Sequence, residues 1–189
     1  MQALALFVAI ELHDRVKAAM TLARGRLHEF DRVVRWTAPE QMHLTIQYLG
    51  ACEDDERNAI HEACLELAEQ CDPFELTLSG GGCFPPQGRV RVVWVGADDR
   101  TGRLAECGER GRVRLAGLGF AGERRAFTPH ITLGRVRDDR SGGRLRSAVA
   151  AAAVEPARQT VTEMVLMRSD RSASGARYTA IGRFGFGGG

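Results

Sequence analysis

Two tetrapeptides in this chain share one pattern: His43-Leu44-Thr45-Ile46 and His130-Ile131-Thr132-Leu133 each read His, apolar, Thr, apolar. Chance supplies one such match roughly 0.05 times in a chain of this composition, and two roughly once in a thousand chains. Along a strand, residues two apart face the same way, so each His shares a face with its Thr while Leu44, Ile46, Ile131 and Leu133 take the other. A helix would set His and Thr about 200° apart and separate them. Where two such strands meet about a two-fold axis, two imidazoles and two hydroxyls converge on one cleft. Imidazoles with an ordinary pKa of about 6.5 can divide acid and base work near neutral pH. Threonine hydroxyls beside them donate to the non-bridging oxygens of a phosphate. Attack on phosphorus needs one group to take the nucleophile's proton and another, in line, to protonate the leaving oxygen. The duplicated pair supplies both with no cofactor and no metal.

The elements that must position these residues follow from periodicity. Strands are predicted over 2–10, 33–36, 43–49, 74–78, 89–95, 130–136, 163–167 and 178–186, where apolar, β-branched and aromatic residues alternate or run together between turn signals. Helical spacing covers 12–30, 53–70, 104–118 and 144–154, with Gly108, Gly111 and Gly117 weakening the third. Strand, helix and then a strand opening His-apolar-Thr recurs in both halves. Strands outnumber helices and hairpins join several of them, which predicts an α+β fold with antiparallel sheets. No low-complexity linker divides the halves, so residues 1–186 are expected as a single bilobal domain, with 187–189 a frayed tail. The loop 138–143 is the most mobile internal segment expected.

Composition bounds the remaining choices. A chain of 189 residues buries roughly 70% of its extended surface without disulfides or a structural metal. The formal charge of +2 is too small for a surface that grips nucleic acid throughout, though a local basic patch is compatible with it. Lys17 is the only lysine, so each of the 25 arginines must be argued singly. No apolar run reaches the roughly 18 residues of a membrane span, and Met1–Glu11 has neither the basic start nor the cleavage site of a signal peptide. Five cysteines, Cys52, Cys64, Cys71, Cys83 and Cys107, with no C-x-x-C pair, read as reduced thiols of a cytoplasmic protein.

Other candidates carry less. His61 and Cys64 have the spacing of a metal pair without a second pair to complete a site. The Gly80–Gly82 run lacks the lysine and the following helix of a phosphate loop, and the segment around Ser172 and Ser174 is not a nucleophile elbow. His13 and His28 read as helix-surface residues, and Trp36 and Trp94 as core. Tyr48 and Phe84 are open to two uses, stacking on a base or packing at the core or lip.

The two HxTx motifs resemble those of the 2H phosphoesterase superfamily, and more closely the bacterial and archaeal RNA 2′,3′-cyclic phosphodiesterases, historically called 2′-5′ RNA ligases. The likeness extends over Leu6-Phe-Val-Ala-Ile10, Arg35-Trp36, His43 to Gly50, Gly82-Cys-Phe-Pro85, Arg89 to Gly96, Phe127 to Arg135, Arg168-Ser169 and Gly175-Ala-Arg-Tyr178. Tyr48 stands where that family usually has Phe, and Gly134 where Ala is common. The resemblance implies a bilobal α+β fold of two antiparallel sheets with helices outside and a pseudo-two-fold about a central cleft. It implies a monomer acting on RNA ends or small nucleotides that carry a 2′,3′-cyclic phosphate, hydrolysed without metal to a 2′-phosphate. By it His43 is the general acid, His130 the general base, and Thr45, Thr132 and Arg135 hold the phosphate. Strict alternation would turn Arg135 away from His130, so that role requires a twist or bulge at Gly134. Reversal of the reaction, giving 2′–5′ ligation, uses the same histidines, and a non-catalytic RNA-binding module keeps the same fold.

Overall fold

The computed structural model of the chain describes residues 4–120, 127–141, 143–152, 154–172 and 175–187. Nine strands are found among them: β1 (Leu4–Glu11), β2 (Val34–Trp36), β3 (His43–Cys52), β4 (Phe74–Phe84), β5 (Val92–Asp98), β6 (His130–Val136), β7 (Ala157–Val161), β8 (Glu163–Ser172) and β9 (Gly175–Gly185). The helices are α1 (Asp14–Gly25), α2 (Glu56–Glu69), α3 (Arg103–Ala116) and α4 (Arg144–Ala151). All pairings are antiparallel, in the order β7-β4-β5-β6-β3-β1-β8-β9. The two sheets expected from the sequence are thus two four-stranded arms of one curled sheet. They are joined between β6 and β3 at one register pair, Leu44 with Ile131. Beyond that pair β3 leaves, and the short β2 takes its place on the same edge of β6, Trp36 opposite Gly134.

The helices cross between arms. α1 follows β1 but packs on β7, in the other arm; α3 follows β5 but packs on β3 and on α2. Buried Gln159 of β7 fastens one crossing: its Oε1 accepts the His13 N–H at 2.9 Å and its Nε2 donates to the Glu11 carbonyl at 2.9 Å, where β1 ends and α1 begins. The core lies between helices and sheet, with Leu6, Val8 and Ile10 on one face of β1. The other face of β1 is also covered, Phe7 and Ala9 packing with Val165 and Met167 beneath the cleft.

Several boundaries move for physical reasons. The helix expected over 12–30 stops at Gly25, and a separate 3-10 turn at His28–Phe30 returns Leu27 and Phe30 to the core. The strand expected over 74–78 runs on through the glycines to Phe84, with an irregularity between Ser79 and Gly82. The last of them, Gly82, must be glycine because the Trp94 indole lies against it, where a Cβ would sit 2.2 Å from the ring. Trp94 is therefore not a core residue: Val93 and Val95 point into the core and Trp94 to the opposite, cleft face. Gly111 acts likewise in α3, where a Cβ would stand 3.2 Å from Leu67 of α2. The strand β7 has no counterpart in the sequence reading. In the loop expected to be most mobile, 138–143, residue 142 lies outside the described residues, and Asp139 accepts the Val90 N–H at 2.9 Å and the Ser141 hydroxyl at 2.6 Å. Of the expected tail, 188–189 lie outside the described residues, as do 173–174 beside Ser172.

Gly82→Ala is expected to destabilise the fold by about 1–3 kcal/mol through overpacking. In a Trp94→Leu background the same change should cost less than half as much by urea denaturation. Equal costs in the two backgrounds would show that the indole does not dictate the glycine.

Candidate active site

The tetrapeptides open β3 and β6, and the Leu44–Ile131 pair sets them side by side. Leu44 and Ile131 are both fully buried, so the side chains of His43, Thr45, His130 and Thr132 take the opposite face. Antiparallel order through that pair turns His43 toward Thr132 and Thr45 toward His130.

Both rings are held in one way. His43 Nδ1 is 2.7 Å from the Gln41 carbonyl and His130 Nδ1 is 2.7 Å from the Thr128 carbonyl, each two residues upstream. A carbonyl oxygen only accepts, so Nδ1 carries hydrogen in both rings and Nε2, at the far edge, is the atom left to exchange a proton. Gln41 is itself fixed, its Nε2 donating to the Ala176 carbonyl of β9.

Arg135 reaches this face through a bulge. Trp94 pairs with Thr132 and Val93 with Gly134, so Leu133 is an extra residue in β6. Leu133 and Gly134 are consecutively buried, and Arg135 emerges exposed on the side of His130 and Thr132. The phosphate-binding role of Arg135 called for a twist or bulge at Gly134; the bulge lies one residue earlier, at Leu133. β3 repeats the device: Val8 pairs with Gln47 and Ala9 with Thr45, leaving Ile46 extra, and Tyr48 emerges half-exposed at the place matching Arg135. Arg35 of β2 stands directly opposite Arg135.

Each histidine is framed by two further aromatic rings. Around His43 are Phe7 at 4.8 Å and Tyr178, edge-on, at 4.9 Å between centroids. Around His130 are Phe84 at 5.0 Å and Trp94 at 6.3 Å. Phe84 therefore packs at the cleft, whereas Trp36 sits at the core edge with its Nε1 donating to Asp31 and Arg24 over its ring. His61 of the His61–Cys64 spacing packs edge-on against Phe184. From sequence, Phe7, Gln41 and Tyr178 carry no site assignment and Trp94 reads as core. The signal for Phe7 and Trp94 was alternation, since each has strand neighbours that belong to the core.

Burial lowers the His43 pKa below its ordinary value of 6.5, the largest influence on it. The Gln41 carbonyl opposes this, Arg135 lowers it further, Glu11 raises it and His130 lowers it. Glu11 lies opposite His43 in the β1–β3 ladder and is paired to Arg183 at 2.6 Å. In the free protein near pH 7, His43 is thus predominantly neutral. The arrangement offers two Nε2 atoms for proton transfer, two hydroxyls and a guanidinium for an anion, and aromatic walls that exclude water around one of the rings.

These features define an α+β phosphoesterase fold with a duplicated His/Thr site, and wider comparison agrees. The model of the 2′-5′ RNA ligase superfamily matches residues 10–173, and the chain belongs to that family. Among curated proteins, an RNA 2′,3′-cyclic phosphodiesterase of Thermus thermophilus is 32% identical, over 95% of this chain and 88% of its own. One of the same name from Methanothermobacter thermautotrophicus is 26% identical over 92% and 94%. Among solved structures, a protein of Thermus thermophilus superposes with a TM-score of 0.83 at 28% identity, covering 97% of this chain and 98% of its own. E. coli LigT complexed with 3′-AMP follows with a TM-score of 0.75 at 25% identity, covering 98% and 99%.

A histidine whose folded pKa is depressed binds fewer protons folded than unfolded, so its contribution to stability is present above pH 6.5 and is lost as pH falls through the folded value. Unfolding free energy is expected to fall between pH 7 and pH 5, and His43→Gln to flatten that fall. Parallel curves for the two proteins would show that burial of His43 is not linked to folding.

Proposed function

We propose that this protein hydrolyses RNA 2′,3′-cyclic phosphate ends, and small nucleotides bearing that group, to 2′-phosphomonoesters without a metal. The observation that carries this reading is the matched pair of imidazoles, each with Nδ1–H spent on the carbonyl two residues upstream and Nε2 available. The names of the relatives and the 3′-AMP complex of E. coli LigT support the same substrate class.

Thr45, Thr132 and Arg135 hold the non-bridging oxygens, so the charge that builds on them in the transition state meets donors already in place. His130 Nε2, neutral, takes a proton from water as its oxygen attacks phosphorus. His43 Nε2 delivers a proton to the departing 3′-oxygen, the P–O3′ bond breaks, and the phosphate remains on O2′. The two histidines exchange protonation states in the process, and solvent resets them. Because burial leaves His43 neutral in the free protein, the phosphodiester anion must raise its proton affinity on binding. With a 5′-hydroxyl in place of water as the nucleophile, the same steps form a 2′–5′ linkage.

Phosphorus NMR of an oligomer ending in a 2′,3′-cyclic phosphate, incubated with the protein and EDTA, is expected to show conversion to the 2′-phosphomonoester alone. His43→Ala or His130→Ala should each slow turnover about 10²–10⁴-fold with binding retained. A persistent cyclic phosphate, or full turnover by either variant, would sink this reading.

The pH profiles test the assignment of acid and base. kcat/KM reports the free protein, in which burial weakens the hold of His43 on the proton that the acid must carry. kcat reports the complex, where the anion restores the proton, so its optimum lies at higher pH. Coincident optima would remove His43 as the acid.

A further inference from the structure

On the far side of the β3 arm from the cleft, the turn leaving α2 meets the start of α3. Cys71, just past the end of α2, and Cys107, in the second turn of α3, line one cavity, close enough for each thiol to shift the other's proton affinity. Both residues are buried from bulk solvent, yet they line a cavity of about 150 Å³ together with Gln70, Asp72, Arg103, Glu106 and Arg110. That volume holds several water-sized molecules. Its walls are fixed by charge: Arg110 donates to the Gln70 carbonyl and to Glu106, and Arg103 to the Pro73 carbonyl, with Asp72 at 3.4 Å.

The two sulfurs are unequal. With Cys107 as donor beside it and Arg110 near, the Cys71 thiol is lowered from its ordinary value despite burial, Glu106 and Asp72 opposing. Cys107, the donor, is raised. Elsewhere burial only protects: Cys64 is pushed up to about 12 and Cys52 to about 11. A thiol of lowered proton affinity beside a cation, within reach of a second thiol and open to a small polar cavity, is the arrangement that hydrogen peroxide oxidises.

We propose that Cys71 and Cys107 are an oxidation site at which hydrogen peroxide installs a disulfide between the α2–β4 corner and α3. The Cys71 sulfur attacks one peroxide oxygen, the O–O bond breaks and the other oxygen leaves as water after protonation, giving a sulfenic acid. The Cys107 sulfur then attacks Cys71, the S–O bond breaks and a second water leaves with the Cys107 proton. Two thiols are oxidised by two electrons and one peroxide is reduced. The link lies behind β3, so the site neither uses nor obstructs the catalytic cleft.

The test uses the full reduced chain. At pH 7 an alkylating agent should modify Cys71 at least about tenfold faster than Cys64. After peroxide and trypsin, the peptide 104–110 should appear linked to the peptide 58–89, with fragmentation placing the bond at Cys71. In Cys107→Ser, with its fold checked by circular dichroism, Cys71 should stop at a sulfenic acid trapped by dimedone. Recovery of 104–110 only as a free alkylated peptide, or linkage through Cys64 or Cys83, would overturn the proposal whatever the enzyme assay shows.

Discussion

Between the two arms of the sheet, β3 and β6 share one backbone pair, Leu44 with Ile131, and the geometry of the site descends from it. Continuous pairing of the two strands would give a flat sheet with no cleft, and no pairing would leave the histidines unrelated. One pair lets the strands touch and then diverge. Both partners are fully buried, which fixes the opposite face for His43, Thr45, His130 and Thr132 without further specification. A single pair is a weak hinge, and the fold compensates by exchanging helices: α1 and α3 each leave one arm and pack on the other. Gln159 satisfies backbone groups of Glu11 and His13 at one of these crossings, so a buried polar side chain also binds the arms together.

How far a sequence reveals such a site depends on whether the governing constraint is local. The His-x-Thr alternation is local, and it assigned the four central residues to one face and Leu44, Ile46, Ile131 and Leu133 to the core, as found. The position of Arg135 is not local. Alternation alone turns it away, and only pairing with β5 shows Leu133 to be the extra residue that restores it. The repeat of that bulge at Ile46 could not be seen from residue types, because Ile46 and Gln47 are both buried and differ in polarity. It explains why Tyr48, an aromatic residue beside an apolar run, is half-exposed instead of packed.

Close approach was equally invisible. Glycines in β4 and α3 look like breaks by propensity, yet Gly82 accommodates the Trp94 indole and Gly111 the Leu67 side chain. An apolar setting around Trp94 suggested the core, while strand parity put its neighbours there and left the indole beside His130. The five-residue β7 carries Arg158, Gln159 and Thr160 and has no strand signal of its own; its partners in β4 and α1 make it a strand.

Duplication creates a further demand that the motif itself cannot meet. Two identical imidazoles held by identical carbonyl bonds would titrate alike, and an acid and a base must not. The surroundings break the symmetry. His43 lies deep between Phe7 and Tyr178, with Glu11 opposite it in the ladder, while the bond that orients His130 is open to solvent. Of the two matching bulge positions, one presents the cation Arg135 and the other the phenol of Tyr48. The Arg135 charge acts on His43, and burial strengthens that action by weakening the screening of water. Proton affinity at His43 therefore answers to whatever fills the cleft: an empty cleft leaves Arg135 and His130 to lower it, and a phosphate anion offsets both. In the proposed hydrolysis a symmetric motif performs an asymmetric reaction because its neighbours, rather than its own residues, decide which ring carries the proton.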